Sequence, residues 1–356
     1  MSSIFSKISW WKPLGFIIFA YVIIGGLSVP LKPGIINLST TKLIPGQNSI
    51  EITGYNTLFD QGETKVWLKA DQNHVIEATS LLVHSSTLMN ATFSMPTKID
   101  DIEGNFIPFT LIVYNKSCGS AILPDGFSFE NKDTTHANSS NGLMWTKNLD
   151  SVSTKEDQGI RFPYRAILNE TIRNVLFHVA LWMAMFVMLV SGVYFAAKYL
   201  YTKDSFYDKK SYALTIVGIL YGMLGLATGS LWAKFTWGTW WTNDVKLNMA
   251  AISMLIYLAY IILRQSINDH DRKARLSAVY AIFAFVAIIP LLFVLPRLND
   301  SLHPGNGGNP ALGGEDLDNT LRMFFYPSIF GFILIGCWLA QIKWRHDVIE
   351  EKIASE

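Results

Sequence analysis

Six apolar runs, each of roughly twenty residues, limit what this chain can become. They are residues 14–29, 175–199, 211–232, 247–263, 277–295 and 323–342. A bilayer core about 30 Å thick is crossed by about twenty helical residues at about 1.5 Å rise each. Lipid offers the backbone no hydrogen-bond partner, so an apolar run satisfies its own N–H and C=O groups by forming a helix. Half of the 356 residues are hydrophobic and only 16% are charged, which suits an integral membrane protein.

Residues 31–165 are different in kind. SIEITGYN, TKVWLKA, NHVIEATSLLV, LMNATFSM, FIPFTLIVYN and FSFE alternate in part and are separated by Pro, Gly, Asn and Asp. Short alternating strands with turn residues between them predict a small sandwich, and the polar stretch 131–158 reads as a linker. The expected fold is an all-α polytopic membrane protein of six transmembrane helices with an inserted, extracytoplasmic, all-β sandwich-like domain. Its expected divisions are a first span at 1–30, the β domain at 31–165, a five-helix membrane domain at 172–345 and a cytoplasmic tail at 346–356.

Charge sets the expected topology. Lys7 and Lys12 precede the first run, Lys203, Lys209 and Lys210 follow the second, Arg264, Arg272, Lys273 and Arg275 follow the fourth, and Lys343 and Arg345 follow the sixth. Basic residues mark cytoplasmic segments, so both termini are expected there, with 31–165, 233–246 and 296–322 outside. Small residues at Gly25, Gly26 and Ser28 would also suit a cleaved signal peptide, but no A-x-A site is present and a retained span is preferred.

Several function classes find no support. The net charge of +1 carries no basic stripe, so no nucleic-acid partner is expected. Cys118 and Cys337 form no CxxC pair, and no GxxxxGK[ST] phosphate loop occurs. His74, His84 and His136 match no metal spacing and read as surface or loop histidines, while His270 and His346 lie in basic segments and read as structural. Asn115-Lys116-Ser117 fits a glycosylation triplet of a kind that arises easily by chance.

The stretch Trp237-Gly238-Thr239-Trp240-Trp241-Thr242-Asn243-Asp244 stands out, with Trp232 and Phe235 just upstream. Tryptophan favours membrane interfaces, so an aromatic belt is the bland reading. A belt scatters its aromatics over several helix ends, whereas here they crowd into one loop between Lys234 and Lys246. Flat apolar faces beside cations suit a flat apolar ligand with acidic edges, such as haem. His178 and His303 are expected on the same side as this loop, and two neutral imidazoles can supply both axial ligands of a haem iron. Arg173, Lys234, Lys246 and Arg322 lie near that boundary, either as snorkelling anchors or as contacts for propionates. Asp244 is expected to fix the loop through backbone or Trp N–H groups, or by pairing with Lys246.

The segment ATGSLWAKFTWGTWWTND, residues 227–244, resembles the tryptophan-rich WWD segment of haem-handling proteins in cytochrome c maturation, and the CcmC family most closely. The match covers Trp237, Gly238, Trp241 and Asp244; Asn243 stands where the family has a Trp, and Trp240 is a substitute for that aromatic surface. FHVALW is similar to the family's segment before its second helix, with Ala180 in place of Pro; SLHPG is similar to its second histidine segment and YPSIFGF to the start of its final helix. The similarity runs from about 172 to 345, and the β domain has no counterpart in compact family members.

The resemblance implies a haem-binding and delivery protein of the bacterial cytoplasmic (inner) membrane, carrying non-covalent haem b. His178 and His303 would be axial ligands and Trp237, Gly238, Trp240, Trp241 and Asp244 the platform. Implied partners are a CcmE-like periplasmic haem chaperone or an apocytochrome c, and ABC transporter subunits of the CcmA and CcmB kind. A haem lyase attaching haem to apocytochrome thiols is an alternative, as is a membrane-anchored β module that only scaffolds assembly. On the leading reading the chain is not itself an enzyme.

Overall fold

The protein was analysed as a computed structural model, which describes residues 9–99, 102, 104–131, 159–166, 168–303 and 317–355. Lys7, His136, the expected linker from 132 to 158 and residues 304–316 of the last polar loop lie outside the described residues. Two compact units form, one from Val29–Asn169 and one from the N-terminal segment to Ser28 together with the chain from Glu170 onward.

Among the described residues of the second unit, six helices are long and apolar enough to cross a membrane. They are α1 (Trp11–Ser28), α2 (Val175–Thr202), α3 (Ser205–Trp237), α4 (Val245–Gln265), α5 (His270–Ile289) and α6 (Asn319–Ser355). A short 3-10 turn, Asn169–Asn174, leads into α2. Beyond α5 the helix passes through a π turn at Pro290–Val294, where Leu295 N–H donates to Pro290 O, before a last turn at Leu295–Leu298.

Glycines set the closest helix contact. Lipid tails are as apolar as side chains, so membrane helices associate largely through close packing, which small residues permit. Along α3, Gly218 faces Leu189, Gly225 faces Trp182 and Gly229 faces His178 on α2, while Gly222 meets Met254 of α4 as well as Met185 of α2. A Cβ at Gly225 or Gly229 would come within 2.8 Å of the Trp182 ring or 2.7 Å of the His178 ring. The partners descend α2 as the glycines climb α3, so the helices run antiparallel. Hydrogen bonds continue the seam at both ends: Ser211 Oγ donates to Gly192 O at 2.9 Å, and Asn174 Nδ2 to Thr228 O at 3.1 Å.

Helix α6 contains Pro327, which cannot donate to the carbonyl four residues back. That carbonyl, Met323 O, instead accepts from Tyr21 of α1 at 3.3 Å. Tyr21 also stacks on Phe324, and a Cβ at Gly25 would overlap the Phe324 ring, so α1 lies close against α6. Ser328, fully buried, donates to Leu176 O at 2.5 Å and ties α6 to α2.

The two ends of the bundle differ chemically. At one end Arg264 of α4 forms a two-pronged pair with Asp208 of α3, at 2.8 and 2.6 Å, with its guanidinium over Tyr212. Lys209 pairs with Glu351, and Lys210 Nζ lies 4.3 Å from the Phe206 ring centroid. The opposite end carries the tryptophan turn and residues 299–303.

The chain enters the other unit after α1 and leaves it before α2. Among its described residues nine strands form two sheets: β1 (Gly34–Leu38), β2 (Lys42–Leu43), β3 (Gly46–Tyr55), β4 (Thr64–Lys69), β5 (Val75–Glu77), β6 (Ser80–Val83), β7 (Leu88–Met95), β8 (Phe106–Asn115) and β9 (Gly119–Glu130). Their orders are β1-β3-β7-β6 and β2-β9-β8-β4-β5. Alternate residues of both, including Ile50, Ile52, Phe93, Phe109, Leu111 and Phe129, fill one apolar core, as a sandwich requires. The expected strand NHVIEATSLLV divides at Ala78-Thr79, and its halves, β5 and β6, join different sheets. Strand β9 begins well before FSFE because Pro124-Asp125-Gly126 sits opposite a register shift in β8 and does not end the ladder.

Three residues singled out in the sequence take definite structural places here. His74 is a loop residue, as expected, but it is buried, and its ring pairs with Asp71 at 2.8 Å. Asn115 is also buried; its Nδ2 donates to Leu58 O, Gln61 O and Thr64 Oγ1, so it is a structural clamp with no amide free for a glycan. Cys118 is buried and donates to Thr57 O.

The seam makes a direct prediction. Gly229→Ala should destabilise the detergent-solubilised protein by about 1–3 kcal/mol, because the new methyl meets the His178 ring. His178→Ala/Gly229→Ala should cost less than the sum of the single changes, since removing the ring opens the space. Thermal unfolding of the four proteins reads the coupling; strict additivity would contradict the contact.

Candidate functional site

The tryptophan stretch is a corner between two helices, and its non-aromatic residues make the corner. Helix α3 ends at Trp237, and Gly238 takes a left-handed conformation at φ +80° with its N–H donated to Lys234 O. Glycine is the residue that adopts this cap without a Cβ penalty. Lys234 Nζ then donates to Gly238 O at 3.0 Å, so its ammonium closes the end of its own helix. Asp244 is the N-cap of α4, accepting from Lys246 N–H at 2.8 Å and Leu247 N–H at 3.4 Å. Between the caps, Trp240 O accepts from Ser230 Oγ, which folds the turn back on α3.

Asp244 also reaches across to the loop after α5. Its other oxygen accepts Leu302 N–H at 2.8 Å, and Oδ1 lies 3.2 Å from His303 Nδ1. One carboxylate, 4% exposed, thus holds the start of α4 and the histidine loop together. Burial works against its charge, but hydrogen bonds from Ser301 and Leu302 and the nearness of His303 hold its carboxyl below the usual range. Burial pushes His303 down to about 4, against the pull of Asp244 and with help from Lys246. His303 is therefore a neutral imidazole at physiological pH.

The His303 ring sits in an aromatic corner. Its centroid is 4.9 Å from Trp237 and 5.4 Å from Trp232, and those two indoles meet edge to face at 5.1 Å. His178 of α2 packs against the same end of α3, one helical turn away. Its Nδ1 lies 3.0 Å from Gly225 O and 3.1 Å from Thr228 Oγ1, and its ring fills the space above Gly229. Gly229 and Trp232, the α3 contacts of the two rings, are three residues apart, which is about 4.5 Å of helix rise. The two imidazoles are within electrostatic reach of each other.

Tautomers follow from the acceptors. A carbonyl and a carboxylate only accept, so each Nδ1 carries the proton and each Nε2 keeps its lone pair. Among the described residues no hydrogen bond reaches either Nε2. Each imidazole thus has its second ring nitrogen held and an Nε2 lone pair able to bind a metal.

The remaining candidates divide. Trp240 and Trp241 are 57% and 42% exposed and offer open indole faces beside the corner. Trp241 Nε1 donates to Asn248 Oδ1 at 3.2 Å, and Asn248 Nδ2 donates to Asn243 Oδ1 at 2.8 Å. Asn243, the departure from the family spelling, therefore orients Trp241 through Asn248. Arg173 is engaged by Glu170 and Gly26 O, and Lys246 is half-buried beside Asp244. Arg322 donates to Asn319, but its buried Nε has no partner among the described residues, and neither has Thr242 Oγ1. Sequence reasoning missed Thr228, Gly225 and the bond from Asp244 to His303. The glycine spacing on α3 carried a signal for the first two, since it predicts where α2 must come close; nothing local signals the third.

Comparison with known proteins identifies a family. The family model described as "Heme exporter protein C" (CcmC) matches residues 161–356, more than half of the chain. Heme exporter protein C of Haemophilus influenzae is 27% identical over 139 residues, which is 39% of this chain and 56% of that protein. The protein of the same description from Bradyrhizobium diazoefficiens is 25% identical over 186 residues, 52% of this chain and 70% of its own length. That of Escherichia coli K12 is 26% identical over 137 residues, 38% and 54% respectively. The chain thus spans a little over half the length of the Haemophilus and Escherichia proteins. With a six-helix membrane unit and a match extending through both histidine segments and the tryptophan corner, the chain belongs to the heme exporter protein C (CcmC) family.

Proposed function

We propose that the tryptophan end of the bundle binds non-covalent haem b as cargo and delivers it during cytochrome c maturation. The observation that carries this reading is the pairing of His178 of α2 with His303 of the loop after α5: two imidazoles packed about one helical turn apart against the end of α3, each with Nδ1 engaged and, among the described residues, no hydrogen bond at Nε2. Trp237 backs His303, Gly238 and Asp244 hold the corner, and Trp240 and Trp241 extend an exposed aromatic platform. Among the four cations, the unpartnered Nε of Arg322 makes it the favoured propionate contact. Arg173 and Lys234 already serve local acceptors, and Lys246 stands beside the carboxylate of Asp244.

The bundle sits in the inner membrane with this end facing the periplasm. The alternation of basic loops supports that orientation, since Lys209, Lys210, Arg264 and Lys343 gather at the opposite end. From there the cargo passes to a CcmE-like chaperone or an apocytochrome c. CcmA- and CcmB-like transporter subunits supply any step driven by nucleotide hydrolysis.

Two experiments test the reading. The pyridine haemochrome of the purified protein should be that of a b-type haem. His178→Ala and His303→Ala should each bind haem more weakly and shift the iron toward five-coordinate, high-spin absorption, and added imidazole should restore six coordination. Low-spin spectra like the wild type in both variants would exclude these ligands. For topology, cysteines introduced at 239 and 302 should react with impermeant maleimide added outside, and one at 270 only after permeabilisation; the reverse pattern would invert the orientation.

A further inference from the structure

We propose that the two imidazoles are unequal ligands: Asp244 makes His303 the anchoring one, and His178 is the one that gives way at hand-over. The proposal rests on the haem reading above and concerns what stands behind each ring.

Behind His303 is a buried carboxylate at 3.2 Å. Three backbone N–H groups, from Lys246, Leu247 and Leu302, fix its position, so it cannot swing away from the ring. A carboxylate accepting Nδ1–H draws the proton toward itself and makes the opposite nitrogen a stronger donor to iron. Charge-assisted hydrogen bonds are also roughly twice as strong as neutral ones. Trp232 and Trp237 press against the same ring.

Behind His178 are only neutral acceptors, Gly225 O and Thr228 Oγ1. The single Thr228 hydroxyl proton is held within α3 by Leu224 O or Gly225 O, so neither acceptor carries a charge that would draw the Nδ1 proton. The ring is placed accurately by the glycine seam but receives little electronic support. When an acceptor's ligand approaches, the bond from iron to His178 Nε2 is the weaker of the two. It breaks as the new coordinate bond forms, with no change in electron count, while His303 retains the cargo.

Asp244 is thus a positioning residue, and its effect on the ring is read from affinity and potential together. Asp244→Asn keeps one oxygen for the α4 cap and the His303 contact, where Asn serves as well as Asp, and removes the charge behind His303; its amide also gives up the acceptor that holds Leu302 N–H. In full-length protein reconstituted with haem, this change should speed loss of ferric haem to excess apomyoglobin, consistent with a drop in affinity of about 10- to 100-fold. It should also raise the midpoint potential, because a weaker donor stabilises the ferric state less; looser packing that admits water favours the ferric charge and shifts the potential the other way. Thr228→Val should speed haem loss less than Asp244→Asn, and His178→Ala should hold haem longer than His303→Ala. An Asp244→Asn protein matching wild type in both rate and potential would overturn the proposal. So would faster loss from His178→Ala than from His303→Ala, a comparison that stands even if Asp244→Asn does not fold. A wild-type protein that takes up no haem would overturn the haem reading itself.

Discussion

The close contact between α2 and α3 is the interaction on which the rest of the membrane unit depends. Helices in lipid gain little from hiding apolar side chains from one another, so their association rests on packing and interhelical hydrogen bonds. Gly218, Gly222, Gly225 and Gly229 let α2 approach until side chains rest on the α3 backbone itself. That approach puts His178 Nδ1 within reach of Gly225 O, a carbonyl at the protein-facing surface of the seam. With larger residues at those positions, His178 would lose both its place and its tautomer. The seam also fixes α3 relative to the start of α2, and α3 carries the tryptophan corner at its end.

The corner joins structure to chemistry through a single carboxylate. Asp244 starts α4, clasps Leu302 and orients His303, so folding the turn and presenting the imidazole are one event. The aromatic residues divide between two jobs. Trp232 and Trp237 support the histidine from within, and Trp240 and Trp241 face outward. The family spelling WG…D thus reads physically as a helix end, a left-handed cap and a helix start, with aromatic surface added.

Much of this was legible in the chain. Apolar run length gave six helices because lipid leaves the backbone no alternative, and the two histidine segments and the tryptophan stretch carried a family spelling. The β unit was legible only in outline. Strand β9 was cut short because Pro124, Asp125 and Gly126 look like a turn, yet they fall where the partner strand shifts register. β5 and β6 looked continuous because alternation does not report which sheet a strand joins. Long-range polar pairs were hidden altogether: Arg264 read as one of a basic group, with nothing to link it to Asp208, and Asp244 is separated from His303 by a whole helical hairpin. Such pairs are set by tertiary packing, which local patterns do not encode.

The central claim is that both open Nε2 atoms meet one iron. Electron paramagnetic resonance of the wild-type protein, loaded with ferric haem in lipid nanodiscs, tests it most directly. The account predicts a low-spin signal with the g-values of two neutral imidazole ligands. A predominantly high-spin signal from fully loaded protein, or a low-spin signal that requires a ligand other than nitrogen, would contradict it.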